Sequence, residues 1–450
     1  MTNITTKAVK MIVAAIVCIA PVIYIAFDNP ESTTNQVSEK PNIVILLADD
    51  QGYADIGYHE HPPEISTPAI DKLASTAVIF TNGYASAYVC APTRAGLLTG
   101  RYQQRFGFYQ ASDSRAGMPL NEKTLAEYLK EEGYATGIFG KWHLGLEYEY
   151  RPPQRGFDEF YGFLGHGAHD YFDLDCNEKS KHNCIYRNNE IIEDEGYLTD
   201  NLAREACNFI EQHAGESPFF LYLPFNAVHW PLQAPEDDIA KFNTGDKDRD
   251  IMLAMLHRMD IAVSDVLQTL KGTGQFENTL LFYFSDNGGA SKIHANNSPL
   301  RDYKQSTYEG GVRVPFFVSW PEKIKPGTED EPVISMDILP TIMDAVGKEL
   351  PQDRVFDGKS LMPVLLGNQE KPLHDQLVWD GDEDRWAIRE GDYKLVKNKK
   401  GDIELFNLKN DIGETNNIKN TQSSVADMLE VKYIQWRSEM AEPMGRKKIK

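Results

Sequence analysis

Oxygen-bearing side chains follow two apolar runs of the sequence, at the point where each run ends. One group comes directly after Asn42–Ala48 and the other directly after Thr279–Ser285. Carboxylate and amide oxygens suit a hard cation, calcium or magnesium, whereas zinc prefers nitrogen or sulfur. Three carboxylates brought together would also repel one another without a cation between them. The candidate ligands are Asp49, Asp50, Asp286 and Asn287.

Basic side chains follow two further runs. Lys141 and His143 come after Tyr134–Phe139, and His229 comes after Pro218–Phe225. In an open parallel sheet, ligands bind outside the carboxyl ends of the strands. For any one pair of such residues, a turn or a helix cap is the better explanation. Because four runs end alike, the sequence predicts a single site at one edge of a sheet.

A cysteine lies where a helix is predicted to begin. Cys90 stands in YVCAPTRAGLLTGR, with Pro92 placed for the first turn and Gly100 for the end. The positive end of this helix favours anions, and Arg94 lies one turn further on the same face. A lone cysteine at a helix start is more often structural. Beside an arginine, in a chain with the oxygen ligands above, a reactive role is favoured.

Short apolar runs alternate with helical patterns from Pro41 to about Gly367. This alternation predicts an α/β fold, with a large, mostly parallel sheet between helices on both faces. The predicted strands are Asn42–Ala48, Tyr134–Phe139, Pro218–Phe225, Thr279–Ser285 and Pro315–Trp320. The predicted helices are Glu122–Glu132, Leu198–His213 and Asp250–Leu270. Cys207, within the second of these helices, is expected to be inert packing.

A different pattern follows Leu366–Pro372. Short strands joined by tight turns, and one last helix, predict a smaller antiparallel sheet plus helix. These elements are Trp386–Arg389, Tyr393–Lys397, Ile403–Leu408 and the helix Ser423–Met440. We therefore divide the chain into an N-terminal segment over residues 1–40, a large domain over 41–370 and an α+β subdomain over 371–450.

The N-terminal segment has the pattern of a targeting sequence. Lys7 and Lys10 precede the uncharged run Met11–Phe27, and a polar linker follows. This predicts a signal peptide or an uncleaved membrane anchor, and hence a periplasmic, secreted or membrane-anchored protein. Export permits disulfides. For Cys176 and Cys184, which flank a polar loop, a disulfide and two unbridged thiols fit the sequence equally well.

The formal net charge of −21 argues against nucleic acid as a partner, because no basic face is available to neutralise phosphates. An anionic substrate would be repelled at long range. Salt screens that repulsion beyond roughly 8–10 Å, so a local pocket of Lys, Arg and His still suits an anion.

The motifs around the candidate residues resemble those of the formylglycine-dependent sulfatases. The segment Cys90–Arg94 matches the signature C-x-P-x-R, and the resemblance extends roughly from Pro41 to the C-terminus. The other matching motifs are NIVILLADDQGYADIG, GKWHLG, AVHWPL, SDNGG and YEGGVRVP. Together they are highly specific, and they are most similar to those of arylsulfatases and N-acetylgalactosamine-type sulfatases. The resemblance implies a fold like that of alkaline phosphatase.

The same resemblance implies a sulfatase, and export together with loops that carry Trp and Tyr suggests a sulfated carbohydrate as its substrate. A separate maturation enzyme would oxidise Cys90 to formylglycine, whose gem-diol attacks sulfur and forms a covalent sulfo-enzyme intermediate. One calcium ion, with magnesium less favoured, would be bound by Cys90 and the four oxygen ligands. The implied catalytic residues are Cys90, Arg94, Lys141, His143, His229 and Lys304.

Four further residues are weaker candidates for contacts with substrate, and for the three on the loop below, ordinary polar loop residues are an equal alternative. They are His166, His169 and Asp170, on the loop GFLGHGAHDYF, and Arg385 in the small subdomain. Two other functions remain open. One is a phosphonate or phosphodiester hydrolase of the same superfamily, and the other is a non-catalytic sulfated-glycan-binding protein with an unconverted Cys90.

Overall fold

The structure is a computed structural model that describes residues 40–59, 63–165, 168–176, 184–381 and 385–444. Residues Lys40–Lys450 form one compact unit. The predicted signal peptide or anchor lies outside the described residues, and so does His166. Within the described ranges, no helix has the length and apolar character needed to cross a bilayer.

The described strands fall into one large and two small sheets. In chain order they are β1 (Asn42–Ala48), β2 (Val78–Phe80), β3 (Gly83–Tyr84), β4 (Ala135–Lys141), β5 (Glu159–Phe163), β6 (Ile185–Arg187), β7 (Glu190–Ile192), β8 (Phe219–Pro224), β9 (Thr279–Ser285), β10 (Phe316–Ser319), β11 (Gly327–Glu329), β12 (Val333–Ile334), β13 (Leu377–Gly381), β14 (Arg385–Glu390), β15 (Tyr393–Lys397) and β16 (Ile403–Asn407).

The described helices lie mainly between these strands. They are α1 (Pro68–Ala74), α2 (Cys90–Thr99), α3 (Leu125–Glu131), α4 (Leu198–Gln212), α5 (Glu236–Ile239), α6 (Lys247–Gly272), α7 (Glu309–Val312), α8 (Ile338–Ala345), α9 (Met362–Leu365) and α10 (Ser423–Ser438).

The large sheet has the strand order β11-β2-β10-β9-β1-β8-β4-β5-β6-β7 in the described part of the chain. Its central strands are parallel, since β1 pairs with β8 and β9, and β4 pairs with β8 and β5. Antiparallel pairs occur toward both edges, at β10 and at β6 and β7. The predicted fold class is confirmed, and the carboxyl ends of four central strands meet at one edge.

Strand β1 is apolar throughout because both of its faces are covered. Successive side chains of a strand point to opposite faces of the sheet. Val44 and Leu46 pack in a core with α1, α4 and α6, whereas Ile43 and Leu47 pack in a second core with α2, α3 and α8. The continuous apolar run therefore predicts this two-sided burial correctly.

The second sheet, β13-β14-β15-β16, is antiparallel and packs with α10 in a third core. Buried ion pairs join it to α7. Lys394 on β15 donates to Glu309 on α7 at 2.7 Å and lies 3.1 Å from Glu414. Glu309 also accepts from Tyr84 at 2.7 Å and pairs with Arg313 at 3.2 Å. We call these five residues the Glu309 cluster.

Several predicted boundaries are wrong for identifiable reasons. Strand β4 extends through Lys141, because its pairing with β5 continues to that residue, so Lys141 ends the strand instead of following it. Helix α3 begins at Leu125 and not at Glu122, because Thr124 caps it with Glu127 in a reciprocal capping box.

Other elements were not predicted or are longer than predicted. Helix α6 starts at Lys247, where the Asp246 side chain accepts from two backbone N–H groups. Strand β13 (LVWDG) was missed because it is short and ends in an Asp-Gly pair that suggests a turn. Cys176 and Cys184 are joined by a disulfide.

Candidate active site

The register of the central strands sets the position of the acidic residues. Strands β1 and β9 pair in register up to Ala48 and Ser285, so the next residues of both strands leave the sheet side by side. The backbone N–H of Asp286 donates to the Ala48 carbonyl at 3.1 Å. The backbone N–H of Asp49 donates to the Ala227 carbonyl of the segment after β8, at 2.9 Å.

The predicted oxygen ligands come together around Cys90. One ligand atom each of Asp49, Cys90 and Asp286 lies within 4.8 Å of the others. Asn287 Nδ2 donates to Asp50 Oδ1 at 2.8 Å. Asp49 Oδ1 and Asn287 Oδ1 are buried acceptors without a hydrogen-bond partner among the described residues. Buried acceptors are normally satisfied, so this set fits a hard cation that binds oxygen.

The two adjacent aspartates are in different electrostatic environments. Burial raises the pKa of Asp49 to about 7, and the neighbouring Asp286 adds to the rise. Burial also opposes the charge on Asp50, but Lys304 and His229 outweigh it and lower the pKa of that carboxyl. A divalent cation at the free oxygens would favour the charged form of Asp49 as well.

Two buried cations hold the carboxylates from the protein side. Arg94 Nε and Nη2 donate to Asp286 Oδ2 at 3.0 and 2.7 Å, and Arg94 Nη1 donates to the Lys141 carbonyl at 2.9 Å. The Lys141 ammonium donates to Asp49 Oδ2. Burial lowers the pKa of Arg94, but Asp286 outweighs it and the net pKa is raised. Arg94 therefore remains charged.

Cys90 is the first residue of α2, as the sequence predicts, and Gly100 ends the helix with a positive φ of 66°. The side chain is buried. Burial raises the pKa of the Cys90 thiol although Lys141 and Lys304 act in the opposite direction. An unmodified Cys90 would therefore be mostly protonated at neutral pH, a poor state for nucleophilic attack.

Glycines allow the loop that carries Lys304 to lie close against the end of β9. The Gly288 N–H donates to the Gly311 carbonyl at 3.0 Å, and the Lys304 N–H donates to the Gly289 carbonyl at 3.1 Å. A Cβ on Gly288 would lie 1.9 Å from the Gly310 carbonyl oxygen. The paired glycines in SDNGG and YEGG thus permit the backbone contact that brings Lys304 to Asp50.

Lys304 and His229 lie on the far side of Asp50. The Lys304 ammonium donates to Asp50 Oδ1 at 2.5 Å, and His229 Nε2 lies 3.7 Å from Asp50 Oδ2. His229 Nδ1 lies 2.7 Å from the Trp230 carbonyl. Burial lowers the pKa of His229 to about 3 although Asp50 opposes the change. A carbonyl only accepts, so Nδ1 carries the hydrogen of the neutral ring.

His143 is buried beside the same groups, with a positive φ of 62°. Its Nδ1 has no hydrogen-bond partner among the described residues. Burial lowers the pKa of His143 well below its usual value, and Lys141 and Arg94 lower it further. The ring is therefore neutral at neutral pH and can accept a proton.

The weaker candidates His169, Asp170 and Arg385 make polar contacts within or between loops. His169 is buried with Nδ1 2.6 Å from the Asp170 carbonyl, and the Asp170 carboxylate accepts from Gln233 Nε2 at 2.9 Å. Arg385 is largely buried and donates to the Gln305 carbonyl, next to Lys304.

Sequence reasoning missed Tyr171, which is fully buried. Its hydroxyl lies 2.7 Å from the Asn226 carbonyl and 2.9 Å from the His229 carbonyl, so it fixes the backbone that carries His229. The sequence signal for it is weak, because one tyrosine in a loop that already holds several polar and aromatic residues is not distinctive.

Comparisons with known proteins agree with this geometry. The profile of the family described as Sulfatase matches residues 41–348. A second profile, described as N-sulphoglucosamine sulphohydrolase, C-terminal, matches residues 302–439. The chain is 32% identical over 418 residues to the uncharacterized sulfatase YdeN of Escherichia coli (strain K12), covering 81% of this chain and 73% of that protein.

Named enzymes and solved structures are also similar. The chain is 33% identical to arylsulfatase A of Bos taurus, over 86% of this chain and 85% of that protein. It is 34% identical to N-acetylgalactosamine-6-sulfatase of Mus musculus, over 74% and 68%. The crystal structure of Ps i-CgsB in complex with k-i-k-neocarrahexaose superposes with a TM-score of 0.85 at 35% identity, covering 90% of this chain and 94% of that one.

Proposed function

The chain belongs to the sulfatase family and is a sulfuric ester hydrolase, and we propose that its substrate is a sulfated carbohydrate. Two comparisons support this substrate class. One similar enzyme is named for N-acetylgalactosamine 6-sulfate, and one similar structure holds a neocarrahexaose. The fold alone does not fix the substrate.

The observation that carries the proposal is the balance of charge around Cys90. Three carboxylates lie beside three fixed cations, and each carboxylate is bonded to one of those cations. A divalent cation added to this balanced set makes the site net positive. A sulfate ester is therefore attracted at short range, although the whole chain has a net charge of −21.

We propose that the metal is calcium, bound by Asp49, Asp50, Asp286, Asn287 and the modified Cys90. Calcium takes six to eight oxygen ligands, whereas magnesium usually keeps several waters, so a set of several protein oxygens favours calcium. When bound, the ion would neutralise the carboxylates and polarise an oxygen of the sulfate group. Arg94, Lys141 and Lys304 would stabilise the charge that develops on that group.

We propose that a maturation enzyme converts Cys90 to formylglycine, and that the hydrated aldehyde is the nucleophile. One of its two hydroxyl oxygens loses its proton to solvent and bonds to sulfur while the bond from sulfur to the alcohol oxygen breaks. The second hydroxyl then loses its proton, for which His143 is suitably unprotonated. A carbonyl forms, the carbon–oxygen bond to sulfate breaks, and sulfate leaves. Water then rehydrates the aldehyde.

The leaving alcohol needs a proton, and His229 and Lys304 are the two candidates. Lys304 is an ammonium, because Asp50 outweighs the effect of burial and raises its pKa. His229 carries a proton on Nε2 only when its ring is cationic, since Nδ1 already faces a carbonyl. Loss of the general acid should slow the hydrolysis of alkyl sulfates by about 10²–10⁴-fold. It should slow the hydrolysis of nitrophenyl sulfate far less, because nitrophenolate leaves without a proton. The rates of the variants His229→Gln and Lys304→Met on both esters therefore identify which residue is the general acid.

We also propose that the protein is exported. The disulfide between Cys176 and Cys184 supports an oxidising compartment, and the N-terminal pattern supports a targeting signal.

The first experiment is mass spectrometry of the peptide that contains Cys90, after expression with a maturation enzyme. Formylglycine is expected, with a lower mass than cysteine and reactivity toward a hydrazide. The converted enzyme should then release sulfate from members of a panel of sulfated oligosaccharides. Faster turnover of nitrophenyl phosphodiesters than of nitrophenyl sulfate would favour the phosphodiesterase alternative. An unconverted Cys90 with glycan binding alone would favour the non-catalytic one.

A further inference from the structure

The rim of the site carries an aromatic side chain and a basic side chain that the proposed reaction does not use. Trp230 directly follows His229, and 45% of it is exposed. Lys292 Nζ lies 3.7 Å from the centroid of the Trp230 ring. Lys292 belongs to the short 3-10 turn Ser291–Ile293, which follows Asn287 and the two glycines after it. Both side chains thus project from segments that contribute to the site.

The backbone beneath Trp230 is held in place. The His229 ring lies 2.7 Å from the Trp230 carbonyl, and the His229 carbonyl is 2.9 Å from the hydroxyl of the buried Tyr171. On the other segment, the Ile293 N–H donates to the Ala290 carbonyl at 3.3 Å. Hydrogen bonds to the backbone therefore hold both segments from which the indole and the ammonium project.

A cavity of about 400 Å³ opens beside the same turn. Ser291, His294, Asn296 and Tyr303 are among its lining residues. Tyr303 directly precedes Lys304, and 40% of it is exposed. An exposed aromatic residue is therefore adjacent in sequence to each of His229 and Lys304, and the cavity beside Tyr303 carries hydroxyl and amide groups together with the charged Asp246 and Arg249. This combination of a flat apolar surface with polar groups suits a pyranose ring.

The contact between Trp230 and Lys292 is weak by itself. A cation over an exposed aromatic ring contributes only about 0.5–1 kcal/mol, and a single exposed lysine has little influence at physiological ionic strength. A ligand that covers the indole and brings a negative group to the ammonium would gain from both apolar burial and charge pairing. An anionic sugar has both properties.

We propose that Trp230 and Lys292 form a second subsite, which binds an anionic sugar unit next to the unit that carries the scissile sulfate. This inference rests on the proposed function, since it assumes a sulfated carbohydrate substrate. The Trp230 ring stacks against the apolar face of that sugar, and Lys292 pairs with its sulfate or carboxylate. The enzyme therefore prefers oligosaccharides to the corresponding sulfated monosaccharide.

The test uses the sulfated oligosaccharide of the panel with the highest kcat/KM and the sulfated monosaccharide from its reacting end. The measured quantity is the ratio of kcat/KM between these two substrates. Trp230→Ala is expected to lower the ratio about 10-fold, mainly through the KM of the oligosaccharide, and Trp230→Phe to retain most of it. Lys292→Met is expected to lower the ratio about 3- to 10-fold at low salt and less at high salt.

Lys323→Met is the matched control for the loss of one exposed lysine. Lys323 follows β10, whose end lies at the opposite edge of the sheet, and the variant should leave the ratio unchanged. A wild-type ratio near one, or a ratio that Trp230→Ala and Lys292→Met leave unchanged, would overturn the second subsite while the proposed function stands. Absence of sulfate release from every sulfate ester would instead overturn the proposed function.

Discussion

Glu414→Gln is expected to stabilise the protein at neutral pH and to have little effect near pH 4.5. Glu414 is fully buried, its Oε2 accepts from the Glu309 N–H at 2.6 Å, and its Oε1 lies 3.1 Å from Lys394 Nζ. Burial raises the pKa of Glu414 from 4.5 to about 7 although Lys394 opposes the rise. The pKa of Glu309 is lowered to about 2, because Lys394 and Arg313 outweigh the effect of burial.

The sign of the effect follows from proton binding. Between pH 4.5 and about 7 the folded protein holds a proton on Glu414 that the unfolded chain has lost. The free energy of unfolding therefore falls as pH rises through this window. Above the window, the contribution of Glu414 to it no longer changes with pH. At about 1.4 kcal/mol per pH unit, the full window corresponds to at most about 3.5 kcal/mol. We expect about 1–2 kcal/mol, because Glu309 and Lys394 titrate together with Glu414.

Glutamine keeps the hydrogen-bond acceptor for the Glu309 N–H but does not titrate. The melting temperatures of wild type and Glu414→Gln are compared at pH 4.5 and pH 7.5, in the same calcium concentration. For a chain of this length, 1 kcal/mol corresponds to about 1 °C. The difference in melting temperature, variant minus wild type, should increase by about 1–2 °C between the two pH values.

Glu216→Gln is the control, because Glu216 is an exposed carboxylate and its substitution should leave the pH dependence unchanged. An equal effect of Glu414→Gln at both pH values would refute the reasoning, and so would destabilisation at pH 7.5. Either result would mean that Glu414 is ionised in the folded protein throughout this range.

Three other predictions concern the site. Cys90→Ser should abolish turnover of nitrophenyl sulfate and leave a sulfated peptide that mass spectrometry detects. The control Cys90→Ala should leave no sulfated peptide. Multiple turnovers by the serine variant would count against the mechanism. Calcium at 100 times its dissociation constant should stabilise the folded protein by about 2.7 kcal/mol. Identical melting temperatures with calcium and with a chelator would contradict the metal site. Gly288→Ala should lower the free energy of unfolding by about 1–3 kcal/mol and reduce activity, because its Cβ would meet the Gly310 carbonyl. A variant that keeps full activity and shows an unchanged backbone in a crystal structure would disprove this.

The parts of the fold that the sequence predicts well are those with a local physical cause. Strand β1 has the predicted bounds, because an apolar run covered on both faces must end where Asp49 and Asp50 begin. The start of α2 at Cys90 follows from proline in the first turn and glycine at the end. The antiparallel direction of β10 could not be predicted, because an apolar strand has the same composition in either direction.

Contacts between segments that are distant in sequence could not be predicted. Lys394 and Glu309 are 85 residues apart, and their ion pair leaves no periodic signal in the sequence. The contact between Trp230 and Lys292 likewise joins two loops that nothing in the sequence connects. The positions of the four candidate oxygen ligands were predictable because two of them directly follow β1 and two directly follow β9. Contacts between loops are instead determined by how the whole sheet packs.

The arrangement of the carboxylate oxygens explains how three acidic residues can be buried together and still be ready for a metal. Asp49 Oδ2 accepts a hydrogen bond from Lys141, Asp286 Oδ2 accepts from Arg94, and Asp50 Oδ1 accepts from Lys304. The opposite oxygen of each carboxylate accepts no hydrogen bond from these three cations. The cations thus orient the carboxylates, and a metal ion bound at the opposite oxygens, as we propose, would not need to break an existing ion pair. In the mechanism that we propose, the same cations face the sulfate group, so metal binding and substrate binding would depend on one set of side chains.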